Sequence, residues 1–291
     1  MPIQNFSIGY QNIEGLHSSL FGCKLNLTDF KCDIEILAET WTSCESCKIC
    51  HVPDYQLIKS IEPEKRGNRG RSSGGLLIFC KERLKRKIKI LESADKYTWL
   101  ELDKSLFLSQ KTIKVCAIYS QPSLSNYYRD SIWEDLETSI IGFSDETSFC
   151  IIGDMNGRTG TRPDFEENRN DKHVRCIPSN VTKKARKNCD ETMNRVGEII
   201  LELCRSYDLQ IANGRTRGDI LGNFTHFNKN TEQSAVDIAL VSDSMYYTLE
   251  DFMVLPQDFF SDHSKIVLTI KNIKELQNYE NYNWQKLRKT Y

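Results

Sequence analysis

Residues 147–160 read TSFCIIGDMNGRTG, and this stretch determines how the rest of the chain is interpreted. Its first half, SFCIIG, is a short apolar run rich in residues that favour strands, which predicts a buried strand. Its second half is polar and contains two glycines, which predicts that the backbone leaves the sheet in a turn. Asp154 and Asn156 fall where the strand ends, so we expect their side chains at the tip of a buried strand.

The same arrangement of an apolar strand with a polar tip recurs along the chain. Asn12 ends the run FSIGYQN, Glu39 follows IEILA, and Asp262 and His263 directly precede SKIVLTI. Asp237 lies inside the apolar run AVDIALV, where a buried carboxylate without a partner would be costly. Strand tips gathered at one edge of a sheet can present such side chains as one rigid cluster.

The remaining periodic segments predict a protein of alternating strands and helices. Further strands are predicted at 74–81, 97–103, 111–119 and 234–242, and helices at 14–27, 125–141 and 190–207, the last with Asp190 as its N-cap. This pattern indicates a mixed α/β layered sandwich. We assign residues 1–272 to one domain and the polar, aromatic residues 273–291 to a tail or linker.

Composition sets few limits on function. A hydrophobic content of 39% supports a substantial core, and a net charge of −1 gives no bulk argument for or against nucleic acid. The start of the chain has no signal-like segment, and its apolar runs are too short to span a bilayer. The 11 cysteines are therefore expected to be reduced thiols, in a protein of the nucleus or cytoplasm that has no membrane partner.

A cluster of carboxylates, amides and one histidine suits the cleavage of phosphate esters. Mg²⁺ binds one or two carboxylates and keeps several waters. Cleavage also needs an oriented water and donors on the phosphate oxygens, and a histidine can supply such a donor. A buried carboxylate behind the histidine would fix its tautomer and favour its charged form.

In this order the pieces resemble the endonuclease/exonuclease/phosphatase superfamily, which includes DNase I, exonuclease III, apurinic/apyrimidinic endonucleases and retrotransposon endonucleases. The matching residues are Asn12 in QNIEGL, Glu39 in AETW, Tyr119 in AIYSQPS, Asp154 and Asn156 in GDMNGRTG, Thr225 in GNFTHFN, Asp237 in SAVDIAL, and Ser261, Asp262 and His263 in SDHS. Residues 213–228 and the tail 281–291 resemble in particular the non-LTR (LINE-type) retrotransposon branch.

The resemblance implies a DNase I-like fold, in which two packed mixed β-sheets flanked by helices form a four-layer α/β sandwich. It also implies a Mg²⁺-dependent endonuclease, with Mn²⁺ as a substitute, that nicks one strand of double-stranded DNA and leaves a 3′-hydroxyl and a 5′-phosphate. A reverse transcriptase domain in a longer polyprotein would be its partner.

Each matched residue acquires an expected role from the resemblance. Glu39 would bind the metal with Asn12 and Asp262 beside it, and Asp154 would orient or deprotonate the attacking water. The other roles are phosphate binding by Asn156 and His263, orientation of His263 by Asp237, assistance at the phosphate or leaving group by Tyr119 and Asp262, and hydrogen-bond support by Thr225 and Ser261.

Two other functions stay open at this point. One is a related phosphodiesterase or phosphatase that acts on RNA, an inositol phosphate or a phospholipid. The other is a non-catalytic DNA-binding protein derived from a retroelement. Each residue also has a plain structural interpretation when it is taken alone: Tyr119 as a strand-end aromatic, and Thr225 and Ser261 as supports of the fold.

Two basic clusters are candidates for DNA contact. They are the loop with Lys65, Arg66, Arg69 and Arg71, and the segment with Lys183, Lys184 and Arg186. Contacts with phosphates would make DNA binding sensitive to salt. The third basic run, 81–89, is instead interpreted as a solvated face, because Leu84, Ile88 and Ile90 have the spacing of packing residues.

Cys44, Cys47, Cys50 and His51 form a CxxCxxCH pattern that resembles part of a zinc site. A structural zinc needs four ligands, and the adjacent Cys50 and His51 would be strained as partners on one ion. The chain has no second CxxC to complete such a site. We therefore expect a loop of free thiols here.

Overall fold

A computed structural model describes residues 5–16, 30–41, 52–65, 72–107, 111–143, 147–165, 185–228, 232–258 and 261–271. In these ranges the chain forms two six-stranded sheets and one short hairpin. The first sheet contains β1 (Phe6–Asn12), β2 (Ile34–Ala38), β3 (Tyr55–Ile61), β4 (Leu76–Lys81), β13 (Leu249–Val254) and β14 (Ile266–Ile270) in the order β13-β14-β1-β2-β4-β3.

The second sheet contains β5 (Ile88–Ser93), β6 (Tyr97–Leu102), β7 (Ile113–Tyr119), β8 (Ser148–Asp154), β9 (Leu209–Ile211) and β12 (Asp237–Ser242) in the order β5-β6-β7-β8-β12-β9. The hairpin joins β10 (His226–Phe227) to β11 (Gln233–Ser234). The described helices are α1 (Ser131–Ile141), α2 (Arg195–Ser206), α3 (Asp243–Tyr246) and two 3₁₀ helices, Glu82–Lys87 and Lys104–Leu106.

Both sheets are mixed, as the sequence predicts. β1 runs parallel to β2, and β7 runs parallel to β8. The other pairings within the two described sheets are antiparallel. The two packed mixed sheets with their helices confirm the predicted α/β sandwich and its DNase I-like class.

The main core lies between the two sheets and follows from the two-residue period of a strand. In β1, Ile8 and Tyr10 point into a fully buried cluster that also contains Val115 and Ala117 of β7. The Tyr10 hydroxyl donates a 2.9 Å hydrogen bond to the carbonyl oxygen of Ile118 in the opposite sheet. This buried polar contact links the two sheets near the rim where the strands end.

A second cluster covers the outer face of the second sheet. Trp133 and Leu136 of α1 and Ile200 of α2 pack there with Ile151 and Leu240. The alternate residues of β8 and β12 thus face the helices, while their neighbours face the core between the sheets. The apolar stripe of each helix therefore fixes which face of the second sheet is turned outward.

Both predicted helices in the middle of the chain begin later than the sequence indicates. Helix α1 starts at Ser131 and not near 125, because Tyr128 N–H donates to the carbonyl of Ser125 in a turn. Helix α2 starts at Arg195, and its N-cap is Asn194, whose side chain accepts from the Gly197 amide. The prediction of Asp190 as N-cap is wrong.

The other predictions on the fold have mixed outcomes. The helix predicted at 14–27 and the tail 273–291 lie largely or wholly outside the described residues, and the assignment of one domain over 1–272 stays a prediction. Within the described ranges, no helix is both long and apolar enough to cross a bilayer. The six described cysteines are free: Cys32, Cys80, Cys116, Cys150, Cys189 and Cys204.

Candidate active site

Three of the predicted site residues end the inward-facing rows of the second sheet. Strand pairing places Tyr119 of β7 opposite Asp154 of β8, and Asp154 opposite Asp237 of β12. Because alternate residues share a face, Asp154 continues the inner row of Cys150 and Ile152. The three polar side chains therefore lie side by side at the rim of the core.

The first sheet brings its polar tips to the same rim. Asn12 ends β1, and its Nδ2 donates a 2.9 Å hydrogen bond to Asp154 Oδ2 across the gap between the sheets. Glu39, which follows β2, accepts a 2.5 Å hydrogen bond from the Tyr119 hydroxyl. Two contacts between the sheets thus hold the metal-binding candidates of one sheet against the catalytic candidates of the other.

The backbone is unusual where these side chains leave the strands. Glu39 has φ 52° and Asn156 has φ 50°, and Glu14 beside them has φ 47°. Residues other than glycine seldom adopt this left-handed conformation, and such residues concentrate at functional sites. The surrounding hydrogen bonds hold Asn156 there: its amide donates to Asp154 Oδ1 at 3.0 Å, and its Nδ2 donates to the Ser120 carbonyl at 2.8 Å.

His263 and Asp237 form a buried ion pair at the centre of the site. Nδ1 of His263 lies 2.8 Å from Asp237 Oδ2, and the two side chains are 8% and 0% exposed. Burial alone would lower the pKa of His263, but the carboxylates of Asp237, Asp154 and Asp262 outweigh it and raise the pKa to about 10. His263 is therefore a cation at neutral pH, with Nε2 turned toward the site.

Nε2 of His263 lies 4.0 Å from Asp154 Oδ2 and 3.8 Å from Asp262 Oδ1. Burial raises the pKa of Asp154 to about 7, and the negative charge of Asp237 adds to the effect. A carboxyl group with this pKa can exchange a proton with water near neutral pH. The site thus combines a proton acceptor with a fixed positive donor about 4 Å away.

Thr225 and Ser261 act as supports through their hydroxyl groups. Thr225 Oγ1 accepts hydrogen bonds from the backbone amides of Val236 and Asp237, at 3.1 and 3.0 Å. Ser261 Oγ donates to the Asn12 carbonyl at 2.6 Å and accepts from the His263 amide at 2.9 Å. These contacts set the backbone positions of Asp237, Asn12 and His263.

The sequence analysis did not single out two residues that the fold brings to the site. Glu14 stands next to Asp262: burial raises its pKa, and the charge of Asp262 and a hydrogen bond with it raise it further. His226 of β10 lies against His263 with ring centroids 4.6 Å apart. The signals were present, since Glu14 comes two residues after Asn12 and His226 directly follows Thr225.

The site fits a hard divalent cation. Glu14 lies beside Asp262 and near Glu39, and its amide donates to Asn12 Oδ1 at 3.2 Å. This part of the site therefore carries the oxygen donors that Mg²⁺ prefers. Among the described residues, Asp262 Oδ1 and Asp237 Oδ1 are buried without a hydrogen-bond partner. Buried carboxylate oxygens are normally satisfied, so an orphaned oxygen points to a missing cation or donor.

Two of the DNA-binding candidates, Lys65 and Arg186, lie among the described residues. Lys65 is exposed, whereas Arg66, Arg69, Arg71, Lys183 and Lys184 lie outside the described residues. Arg186 is described, and its assignment to DNA binding is wrong. Its side chain is buried, and Nη2 donates to the Thr159 hydroxyl at 2.8 Å and to the Gly160 carbonyl at 2.7 Å, so it holds the turn after β8.

The basic run 81–89 behaves as the sequence predicts in one respect: Leu84 is buried in the core, while Arg83, Lys85 and Arg86 are exposed. Ile90, by contrast, is 39% exposed, so its interpretation as a packing residue is wrong. The cluster Cys44, Cys47, Cys50 and His51 lies outside the described residues, and its interpretation as free thiols stays a prediction.

No protein-family model matches the chain, and no curated protein sequence matches it. Solved structures do resemble it. The AP endonuclease LMAP from Leishmania major superposes with a TM-score of 0.68 at 12% identity, covering 93% of this chain and 89% of that one. The Xenopus laevis APE2 catalytic domain gives 0.65 at 14% identity, covering 91% and 92%.

A third similar structure is the endonuclease domain of TRAS1, a telomere-specific non-LTR retrotransposon. It superposes with a TM-score of 0.57 at 12% identity, covering 92% of this chain and 99% of that one. At such low identity the likeness establishes the fold and nothing finer. The likeness extends over 91–93% of this chain.

Proposed function

We propose that this chain, which has the DNase I-like fold of the endonuclease/exonuclease/phosphatase superfamily, is a Mg²⁺-dependent endonuclease that nicks DNA. One observation carries most of the proposal. Asp237 and His263 form a buried ion pair whose free Nε2 lies 4.0 Å from Asp154, beside Asn12 and Glu39. A buried cation next to a carboxyl group whose pKa is about 7 suits an anionic substrate and a proton transfer.

Glu39, Asn12, Asp262 and Glu14 would hold the metal ion, since they offer the oxygen donors that Mg²⁺ prefers and Glu14 lies beside Asp262. The bound ion would neutralise charge on the phosphate and help to position it. Asp262 is prepared for this role: burial alone would raise its pKa, but hydrogen bonding with His226 and the charge of His263 lower it. Its carboxylate therefore stays ionised at neutral pH.

Asp154 would orient the attacking water and accept its proton. Its pKa of about 7 places it near the value that is best for a general base at neutral pH. Asn12 Nδ2 occupies one of its oxygens and the Asn156 amide the other, so the carboxylate cannot rotate. A fixed base avoids the entropy cost of ordering it during the reaction.

His263 would donate from Nε2 to a phosphate oxygen, with Asp237 holding the ring and its charge. A preorganised donor in a buried site gains most when negative charge develops on the phosphate. Tyr119 and Asp262 would assist at the phosphate or the leaving group. Attack on phosphorus would break the bond to the 3′-oxygen and leave a 3′-hydroxyl and a 5′-phosphate.

The substrate class is argued from the sequence and from the fold. Double-stranded DNA is favoured by the basic loop that begins at Lys65 and by the segment 213–228. That segment resembles the LINE-type branch, and the TRAS1 domain shares the fold. We infer a retrotransposon origin on these grounds, with a reverse transcriptase domain as the expected partner in a longer polyprotein.

A plasmid-nicking assay tests the proposal. Supercoiled plasmid should become open circles first and linear DNA only later, because one site cuts one strand in each encounter. The reaction should stop with a chelator and resume with Mg²⁺, and Mn²⁺ should substitute. Glu39→Gln and Asp154→Asn should each abolish nicking, while the exposed Glu62→Gln should nick as the wild type does.

The same assay separates the rival functions. Plasmid that is bound but stays supercoiled would support a non-catalytic DNA-binding protein. Plasmid that is neither bound nor cut, together with hydrolysis of RNA, inositol phosphates or a phospholipid, would support a related phosphodiesterase. Nicks that a polymerase extends only after phosphatase treatment would overturn the assigned polarity of cleavage.

A further inference from the structure

His226 would touch neither substrate nor Mg²⁺ in the proposed reaction, yet the hairpin β10–β11 places it beside the site. Its Nδ1 lies 3.2 Å from the Ser234 hydroxyl on the opposite strand. Its Nε2 lies 3.5 Å from Asp262 Oδ2, and its side chain is only 27% exposed. The backbones of His226 and His263 also form an antiparallel bridge, which keeps the two residues side by side.

The two histidines and Asp262 present three metal-ligand atoms to one point. One ring nitrogen of His226, one ring nitrogen of His263 and one carboxylate oxygen of Asp262 lie within 4.8 Å of one another. Ligands on a tetrahedral zinc ion, at bond lengths near 2.1 Å, are about 3.3–3.5 Å apart. Nε2 of His226 lies 3.5 Å from Asp262 Oδ2, and Nε2 of His263 lies 3.8 Å from the other oxygen, Oδ1. Small side-chain rotations would therefore close the cluster on one ion.

The rear nitrogen of each ring is already held in the way that zinc-binding histidines require. Asp237 holds Nδ1 of His263 at 2.8 Å, and Ser234 holds Nδ1 of His226 at 3.2 Å. A ligating histidine almost always places its second nitrogen on a carboxylate or another hydrogen-bonding group, which fixes the tautomer. In addition, Asp262 Oδ1 is buried and accepts no hydrogen bond from the described residues.

We propose that His226, Asp262 and His263 bind one Zn²⁺ ion, and that this ion inhibits the enzyme. Two imidazoles and one carboxylate suit zinc or a similar transition metal, whereas Mg²⁺ prefers oxygen ligands alone. A ligated His263 releases its Nε2 proton to solvent and loses the donor that contacts the phosphate. The inhibition rests on the proposed nuclease function, but the binding of the metal does not.

Cobalt titration of the native protein tests the binding independently of activity. Co²⁺ in a site of nitrogen and oxygen ligands gives visible absorption bands, and thiolate ligands would add a strong near-ultraviolet band. We expect one Co²⁺ per chain without the thiolate band, displaced by one equivalent of Zn²⁺. A spectrum with thiolate bands alone would assign the metal to the cysteine cluster and overturn the proposal.

Three variants sharpen this test. His226→Ala should abolish the visible bands. Ser234→Ala touches no metal yet should weaken binding about tenfold, because the loss of such a supporting hydrogen bond typically costs 10–100-fold in affinity. Asn228→Ala, exposed on the same hairpin, should bind as the wild type does. Unchanged binding in both His226→Ala and Ser234→Ala would refute the site, even if one of them folded poorly.

Nicking with Mg²⁺ is then measured with and without Zn²⁺, relative to the rate of each variant without zinc. At ten times the measured Kd, wild-type nicking should fall to about one tenth, because about nine tenths of the molecules carry zinc. Ser234→Ala should need about tenfold more zinc for the same loss. Zinc that binds without inhibiting would overturn the inhibitory role. A protein that binds cobalt as expected but never nicks DNA would refute the proposed function and leave the metal site intact.

Discussion

Two buried carboxylate–cation pairs in this protein have almost the same burial but differ in hydrogen bonding. In one pair, here called saturated, both carboxylate oxygens accept hydrogen bonds; in the other, here called open, one carboxylate oxygen accepts none from the described residues. Asp164 and Arg215 are 0% and 2% exposed, and Asp237 and His263 are 0% and 8% exposed. In the first pair, Arg215 binds both carboxylate oxygens at 2.6 and 2.7 Å, and the Ile211 amide adds a third bond at 2.7 Å. The pair has no carboxylate oxygen to spare.

The second pair is left open by comparison. Asp237 Oδ1 has no hydrogen-bond partner among the described residues, and Nε2 of His263 faces carboxylates at 3.8 and 4.0 Å. A saturated buried pair fixes the fold, whereas an unsaturated one keeps binding capacity for something outside the protein. The completeness of the hydrogen bonding, and not the burial, therefore distinguishes a pair that stabilises the fold from a pair in the candidate active site.

The largest effect should come from breaking the saturated pair. Arg215→Met leaves the Asp164 carboxylate buried without its cation, which typically costs about 3–5 kcal/mol of folding free energy. The exposed Arg217→Met, two residues away, should cost little. Urea unfolding of both variants measures this, and equal stabilities would mean that Asp164–Arg215 is not the structural pair that its geometry indicates.

Loss of the cation in the open pair should instead affect turnover. His263→Gln can still donate to Asp237 but cannot carry a positive charge, so the nicking rate should fall by about 10²–10³. DNA affinity, measured separately in binding assays, should change little. A variant that turns over at near the wild-type rate would remove His263 from the proposed chemistry.

The two pairs should fail at opposite ends of the pH range. The pKa of His263 is raised from 6.5 to about 10, so its stabilising contribution is complete below about 6.5 and is lost as the pH rises through about 10. Burial alone would raise the pKa of Asp164, but Arg215 outweighs it and lowers the pKa, so that contribution is lost only in acid.

Unfolding free energies across this pH range check the prediction. The difference between wild type and His263→Gln should shrink between about pH 6.5 and pH 10, while the difference between wild type and Arg215→Met should stay constant there. The prediction would be contradicted if the difference for Arg215→Met shrank between about pH 6.5 and pH 10 while the difference for His263→Gln stayed constant.

The smallest effect should come from changing Thr225, whose hydroxyl holds the backbone of Asp237 in the open pair. Thr225→Val removes the hydroxyl that accepts from the Val236 and Asp237 amides, and leaving buried donors unpaired should cost about 1–3 kcal/mol. Turnover should fall as well, because Asp237 loses part of its backbone restraint. Thr225→Ser keeps the hydroxyl and should restore both; if it does not, packing of the threonine methyl group is the role that matters.

The sequence by itself determined much of the candidate site. A strand alternates its faces, so a polar residue that ends an apolar strand must lie at the rim of the core, and Asn12 and Asp154 were recognisable in this way. A charge inside an apolar run also requires a partner, which pointed to a pairing for Asp237. Such signals are local and need no knowledge of which strands are neighbours.

Only the tertiary structure decided which polar residues meet across the two sheets. The contact of Glu14 with Asp262 joins residues 248 positions apart in the printed numbering, and no local pattern encodes it. Arg186 was misjudged for the same reason, since a basic run appears solvated until the turn that covers one of its members is known. The position of His226 in the site was likewise visible only in the structure, because the hairpin brings it against His263. The periodicity of a strand determines which way a side chain points. The partners of that side chain depend on how distant strands pack, and no local sequence pattern encodes this packing.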